Sequence, residues 1–188
     1  MRKIESKHEN PIDDVLIDLA DKLCPTLKKW NFTPNIITTF SLITTIICLF
    51  FFNKRDNFMG CFFLIISYFF DCVDGHFARK YDMVTEFGDY FDHFTDLSLT
   101  IGLVYQLYKQ NTIGQFKIKI AIMILFAILM VGHMGCQEKN HDKEGHSPTL
   151  SFSKMLCPDK TWIEYTRFFG SGTLIVIVCG LFHYEFGK

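Results

Sequence analysis

The chain has 188 residues, 49% of them hydrophobic and 16% aromatic, with a formal net charge of −1. That length is enough for one domain and does not call for a second. Near-neutral charge and the lack of an extended Lys/Arg run exclude a nucleic-acid-binding surface, and the long apolar blocks are the pattern of a membrane protein.

Residues 1–10 are charged and lack an apolar core, so no cleavable secretory signal is expected and insertion should begin at the first span. Asn10-Pro11 predicts a helix start, with Asn as cap and Pro at the first helical position. Ile12, Val15, Leu16, Leu19, Ala20, Leu23 and Leu27 follow at helical spacing, while Asp13, Asp14, Asp18, Asp21 and Lys22 fill the other face. The pattern predicts an amphipathic interfacial helix over residues 10–30, bent or ended near Pro25 and anchored by Trp30.

Thr33-Pro34-Asn35 opens the first of five apolar blocks, near 36–52, 58–70, 97–108, 118–134 and 168–184. The threonines of the first block are expected to bond their own i−4 carbonyls, with Asn35 and Thr38 as the exceptions. The second and third blocks reach spanning length only if residues 71–79 extend one and residues 88–96 begin the other. Segment 135–167 reads as a solvated loop, and His133, Cys136, His141 and His146 in and beside it fit no zinc template. The seven cysteines are scattered without a CxxC pair, so no disulfide is expected. The fold expected is all-α, a polytopic membrane helical bundle with five visible spans. Thirteen Lys and Arg lie on the side of the N-terminus and only six on the other, so the N-terminus and residues 71–96 are expected to face the cytoplasm.

Residues 71–96, DCVDGHFARKYDMVTEFGDYFDHFTD, carry the chemistry. Asp71 and Asp74, three apart, share a face at the end of the second span; Gly88, Asp92 and Asp96, four apart, form a stripe on the third. Each carboxylate costs about 2.5–3.5 kcal/mol at a helix centre, so four unpaired ones would cost on the order of 10 kcal/mol. Two divalent cations, Mg²⁺ or Mn²⁺, are the better partner: the ligands are all oxygen, and such a pair suits phosphoryl transfer. Arg79 is placed to fork onto phosphate oxygens, and Gly75 and Gly88 would let a nucleotide approach the backbone. Asp82, Glu86 and Asp89 read as solvated or structural.

Asp71-x2-Asp74-Gly75-x2-Ala78-Arg79-x8-Gly88-x3-Asp92-x3-Asp96 resembles the full signature of the CDP-alcohol phosphotransferase family, and Thr33-Pro34-Asn35-x2-Thr38 resembles the family's start of the first span. The resemblance implies one membrane domain over 1–188 with six spans where five are visible, and possible homodimerisation. It implies transfer of a substituted phosphoryl group from a CDP-linked donor (of the CDP-diacylglycerol or CDP-choline/ethanolamine type) to an alcohol, one of the two a lipid, with release of CMP. Asp71, Asp74 and Asp92 would ligate metal, with Asp96 close to a second ion. Gly75, Ala78, Arg79 and Gly88 would line the CDP site, and Asn35 and Thr38 are grouped with them. The base would be Asp96 or His93. Two other functions share part of the pattern: an Asp-rich membrane prenyltransferase, which does not require the Gly-x2-Ala-Arg segment, and a cation carrier, which would spread its aspartates through the membrane depth.

Overall fold

A computed structural model describes residues 4–140 and 151–184, and among these every regular element is helical. The main helices are α1 (Pro11–Lys29), α2 (Pro34–Asn53), α3 (Asn57–Lys80), α4 (Glu86–Gln110) and α5 (Ile113–Asn140), followed by the short α6 (Ile163–Thr166) and α7 (Ser171–His183). Four helical stretches, Pro34–Asn53, Asn57–Lys80, Ile113–Asn140 and Lys160–His183, are long and apolar enough to cross a membrane. Outward-facing Ile43, Ile46 and Phe50 on α2 and Ile124, Leu125 and Ile128 on α5 form an apolar exterior suited to lipid. The expected third span is α4, which has the length but does not qualify on composition; Glu86, Asp89, Asp92 and Asp96 crowd its first half. Among the described residues the one further helix of comparable length is α1, whose 19 residues are amphipathic and not apolar enough to span.

α2 and α3 form the closest pair. Ser41 Oγ donates to the Ser67 carbonyl at 3.0 Å, and Thr45 Oγ1 and Ser67 Oγ lie 2.7 Å apart, a hydroxyl seam buried between the helices. Thr39 and Thr44 bond their own i−4 carbonyls as expected, at 2.7 and 2.9 Å. Below the seam, away from the acidic motif, Cys48, Phe52, Leu64, Leu107 and Phe182 pack a core.

Three expectations about the chain's first and last thirds are corrected. α1 does not end at Pro25; it continues through it to Lys29. Proline cannot donate to the Asp21 carbonyl, and Lys80 Nζ takes that acceptor instead at 3.2 Å while bonding Asp21 Oδ1 at 2.8 Å. Lys80, and then His76, hold the Asp21 carboxyl at about 2, so this clamp of α1 on α3 is lost only as pH falls well below the ordinary carboxylate range.

Second, segment 135–167 is not a solvated loop where it is described: α5 continues to Asn140, and 3-10 turns at Ser151–Leu156 and Lys160–Trp162 pack back against it. His141 and His146 lie outside the described residues. Third, Cys136 and Cys157 form a disulfide with their Cα atoms 5.0 Å apart. They are 21 residues apart, and the pairing depends on that return of the chain.

The N-terminus of α1 docks on that of α7. Asn10 caps its own helix by accepting the Ile12 N–H, and its Nδ2 donates to the Arg167 carbonyl at 2.7 Å and to Thr173 Oγ1 at 2.9 Å. A Cβ on Gly172 would fall 2.3 Å from Asp13 Oδ1, so only glycine allows this approach. Gly172→Ala is expected to lower the thermal midpoint of the detergent-solubilised protein by an amount corresponding to about 1–3 kcal/mol. Gly180→Ala, where a Cβ meets nothing within 4 Å, should leave it unchanged or raised.

Candidate active site

The acidic motif occupies the end of α3 and the start of α4, joined by a short turn over residues 81–85. Thr85 restarts the helix by accepting the Gly88 N–H at 3.1 Å on its side-chain oxygen, which fixes the phase of α4 and so the direction of Asp92. Carboxylate oxygens of Asp71, Asp74 and Asp92, one from each, lie within 4.8 Å of one another. Asp74 is only 4% exposed and accepts from Thr38 Oγ1 at 2.6 Å. Among the described residues none of the three carboxylates forms an ion pair with Lys or Arg.

Like charges this close in a poorly hydrated site repel unless a proton or a cation lies between them. Opposite oxygens around an octahedral Mg²⁺ lie about 4.2 Å apart, so small side-chain movements fit this triad to a hard divalent ion. Carboxylates alone, with no His or Cys in the group, match that choice.

A cavity of about 200 Å³ opens beside the triad. Tyr68, Asp71, Cys72, Gly75 and Arg79, at helical spacing on α3, form one continuous strip of its lining, with Asp74 and Asp92 beside it. The Arg79 guanidinium rests over Gly75, where a Cβ would meet its Nη1 at 3.2 Å, and its Nε is buried without a hydrogen-bond partner.

The other expected site residues fall around this centre. Thr38 holds Asp74 from α2. Asn35 abuts Gly88, where a Cβ would lie 3.2 Å from Asn35 Oδ1, and neither residue lines the cavity. Ala78 and His93 are half-buried and also outside its lining; the His93 ring donates from Nδ1 to the Asp89 carbonyl at 2.8 Å, leaving Nε2 as the nitrogen that would accept a proton. Asp96, one turn beyond Asp92, is exposed and lies outside the triad but within electrostatic reach of Asp71. Asp82 and Glu86 are exposed, as expected, and Asp89 is half-buried.

The opposite wall holds residues that the sequence reading missed. Asp13, assigned to a solvated helix face, is 7% exposed and lines the cavity with Glu9, Ile17, His133, Gln137 and Ser171. Asp13 Oδ1 accepts from the Tyr68 hydroxyl at 2.6 Å, and the Gly172 backbone N–H lies near the carboxylate. Burial raises the Asp13 carboxyl above its ordinary range, and the Tyr68 bond and the nearby Gly172 N–H counter the rise. One signal was present: Asp13, Ile17, Ala20, Cys24 and Leu27 fall on a single helical stripe, an acidic residue in line with apolar ones.

An all-helical membrane bundle whose facing helices present a carboxylate triad and an arginine to one cavity has groups that could hold a divalent cation and a phosphate side by side. The family model for CDP-alcohol phosphatidyltransferase matches residues 31–156, and the chain belongs to this family. It is similar to an uncharacterized protein of Aquifex aeolicus, with 30% identity over 101 residues, 50% of this chain and 52% of that one. It is also similar to proteins named CDP-diacylglycerol–glycerol-3-phosphate 3-phosphatidyltransferase. That of Rickettsia typhi is 32% identical over 85 residues, 44% of this chain and 48% of that one. That of Rickettsia prowazekii is 32% identical over 85 residues, covering 44% and 47%. The chain thus spans about half the length of the curated relatives it matches. No solved structure matches it. Family membership and the four apolar helices make it a multi-pass integral membrane protein.

Thr38→Val keeps the shape of the side chain and removes the donor to Asp74. Stabilisation of the purified protein by Mn²⁺, followed as a thermal shift, should then require about 10–100-fold more metal. An unchanged titration would remove Thr38 from the support of the site.

Proposed function

We propose that the chain transfers the phosphatidyl group of CDP-diacylglycerol to a small polar alcohol, releasing CMP. The observation that carries this reading is the convergence of Asp71, Asp74 and Asp92 beside Arg79 at one cavity. The donor is suggested by the names of the Rickettsia relatives. Asp71, Asp74 and Asp92 would hold a divalent cation, with Asp96 beside a second; such ions neutralise a diphosphate.

The residues of the chain divide the remaining work. Arg79 offers fixed N–H donors to the diphosphate oxygens. Gly75 gives the guanidinium its seat. Asn35, Ala78 and Gly88 shape the nucleotide end, and Thr38 fixes Asp74. The acceptor hydroxyl gives its proton to Asp96 or to His93 Nε2. Its oxygen then bonds to the phosphorus remote from cytidine, the bond from that phosphorus to the bridging oxygen breaks, and CMP leaves with the bridging oxygen. Orientation and charge neutralisation supply most of the acceleration in such transfers.

CMP release from CDP-diacylglycerol should be nearly abolished in Asp92→Asn; turnover like that of the wild type would refute the role of Asp92. Asp96→Asn and His93→Gln separate the two candidate bases: removing the true one should lower kcat by about 10²–10⁴-fold, and removing the other much less.

We also propose that the N-terminus and the site face the cytoplasm, on the distribution of Lys and Arg. The Cys136–Cys157 disulfide lies at the same end of the bundle as the cavity, and disulfides persist mainly in oxidising compartments. With Ser6→Cys in intact cells, a membrane-impermeant maleimide should label only after permeabilisation. Labelling from outside would invert the topology and place the disulfide in an oxidising space.

A further inference from the structure

We infer that Cys61 on α3 and Cys179 and His183 on α7 form a second metal site, which takes a thiophilic divalent cation such as Zn²⁺ through two thiolates and an imidazole. The site is separate from the one proposed for phosphatidyl transfer. Cys61 precedes Asp71 by ten residues, about 15 Å along α3, and lies toward the other end of the bundle. Spacing in the sequence gave no sign of it, because Cys179 and His183 are 118 and 122 residues from Cys61.

Cys179 and His183, four apart, share a face of α7, and Cys61 packs in the same core cluster as Cys179. The Cys61 sulfur lies 3.8 Å from His183 Nδ1 and 3.8 Å from the Cys179 carbonyl oxygen, with the Cys179 thiol beside it. Zn–S bonds of about 2.3 Å and Zn–N bonds of about 2.0–2.1 Å, opened by a trigonal angle, place sulfur and nitrogen about 3.8 Å apart, which matches the first of these spacings. Both cysteines are free thiols. His183 is exposed where α7 ends, so its ring can turn to bring the three donors onto one ion, and the ion has a way in. A second observation points to a ligand here. Asn57 Oδ1, one turn before Cys61 on the same face of α3, is buried with no hydrogen-bond partner among the described residues, while its Nδ2 donates to the Phe182 carbonyl at 2.7 Å. A water completing the coordination of the ion would give that oxygen a donor.

Charge and ligand type choose the ion. α3 and α7 lie in the apolar part of the bundle, where a net charge is costly. Two thiolates and a neutral imidazole balance one divalent cation, so the filled site is uncharged. Binding releases the two thiol protons. The proton that His183 Nδ1 donates to the Cys179 carbonyl at 3.0 Å passes to Nε2, which frees Nδ1 to ligate. Mg²⁺ and Mn²⁺ prefer oxygen, so the carboxylate triad and this soft site would sort two classes of ion within one chain. An ion held between Cys61 and α7 would also fix α7, whose other end carries Gly172 to its close approach with Asp13.

The test uses the full chain purified in detergent under nitrogen, with excess Mg²⁺ to fill the carboxylate site, and titrates Co²⁺ as a spectroscopic substitute for Zn²⁺. Stoichiometric Co²⁺ should produce thiolate-to-cobalt charge-transfer absorption, which carboxylates cannot give, and added Zn²⁺ should displace it. His183→Ala, at an exposed position, should raise the midpoint of the Co²⁺ titration at least about tenfold. Cys61→Ala combined with Cys179→Ala should remove the absorption, whereas Cys72→Ala, which takes the thiol from the cavity lining, should leave it in place.

A wild-type protein without the charge-transfer absorption, or absorption that survives the double cysteine variant, would overturn the inference. Should that variant fail to fold, thermal shifts of the wild type and His183→Ala decide instead. With Mg²⁺ present, Zn²⁺ should raise the midpoint of the wild type, and His183→Ala should need at least about tenfold more Zn²⁺ for the same rise. Equal titrations, or no rise, refute the site. None of these measurements reads CMP release, so their outcome is distinguishable from failure of the transfer reaction.

Discussion

Three carboxylates held within 4.8 Å of one another, on helices that otherwise meet lipid, set the terms for the rest of this molecule. In water such a cluster would be dispersed by solvent and mobile side chains. Here the helices fix the carboxylates, and no basic side chain among the described residues pairs with them. Mutual repulsion and lost hydration both push against the ionised state, so the arrangement is tenable when a multivalent cation supplies the missing charge. Under the proposed function the same cation would attract a diphosphate, which would link the stability of the site to its chemistry.

The surrounding architecture serves that constraint. The close α2–α3 pair, held by Ser41, Thr45 and Ser67, brings Thr38 to Asp74. The turn after α3 and the Thr85 cap return the chain so that Asp92 faces Asp71 and Asp74. α1 closes the other side. Asn10 docks it on α7, Lys80 occupies the carbonyl that Pro25 leaves unpaired, and the result carries Asp13 from a surface helix into the cavity lining. A helix of this kind need not be only a membrane anchor; it can be a wall of the site.

The strip on α3 and α4 reads as motif residues, whereas the opposite wall is assembled from α1, α5 and the start of α7. The two walls meet at the bond of Tyr68 to Asp13, and α1 is also clamped to α3 where Lys80 and His76 bond Asp21.

By itself the sequence determined the apolar helices, the amphipathic α1 with its Asn10 cap, and the sharing of faces by Asp71 with Asp74 and by Asp92 with Asp96. Each of these follows from helical periodicity or local capping, which act over a few residues. Only the tertiary structure decided which residues meet across long separations: Asp13 with Tyr68, Cys136 with Cys157, Lys80 with the Asp21 carbonyl, and Glu9 with Gln137. Those contacts depend on how helices pack and where the chain returns, and close passage at Gly172 leaves no periodic trace. For the same reason Asp96 and His93 were nameable from spacing, while their positions beside the cavity, outside its lining, were not.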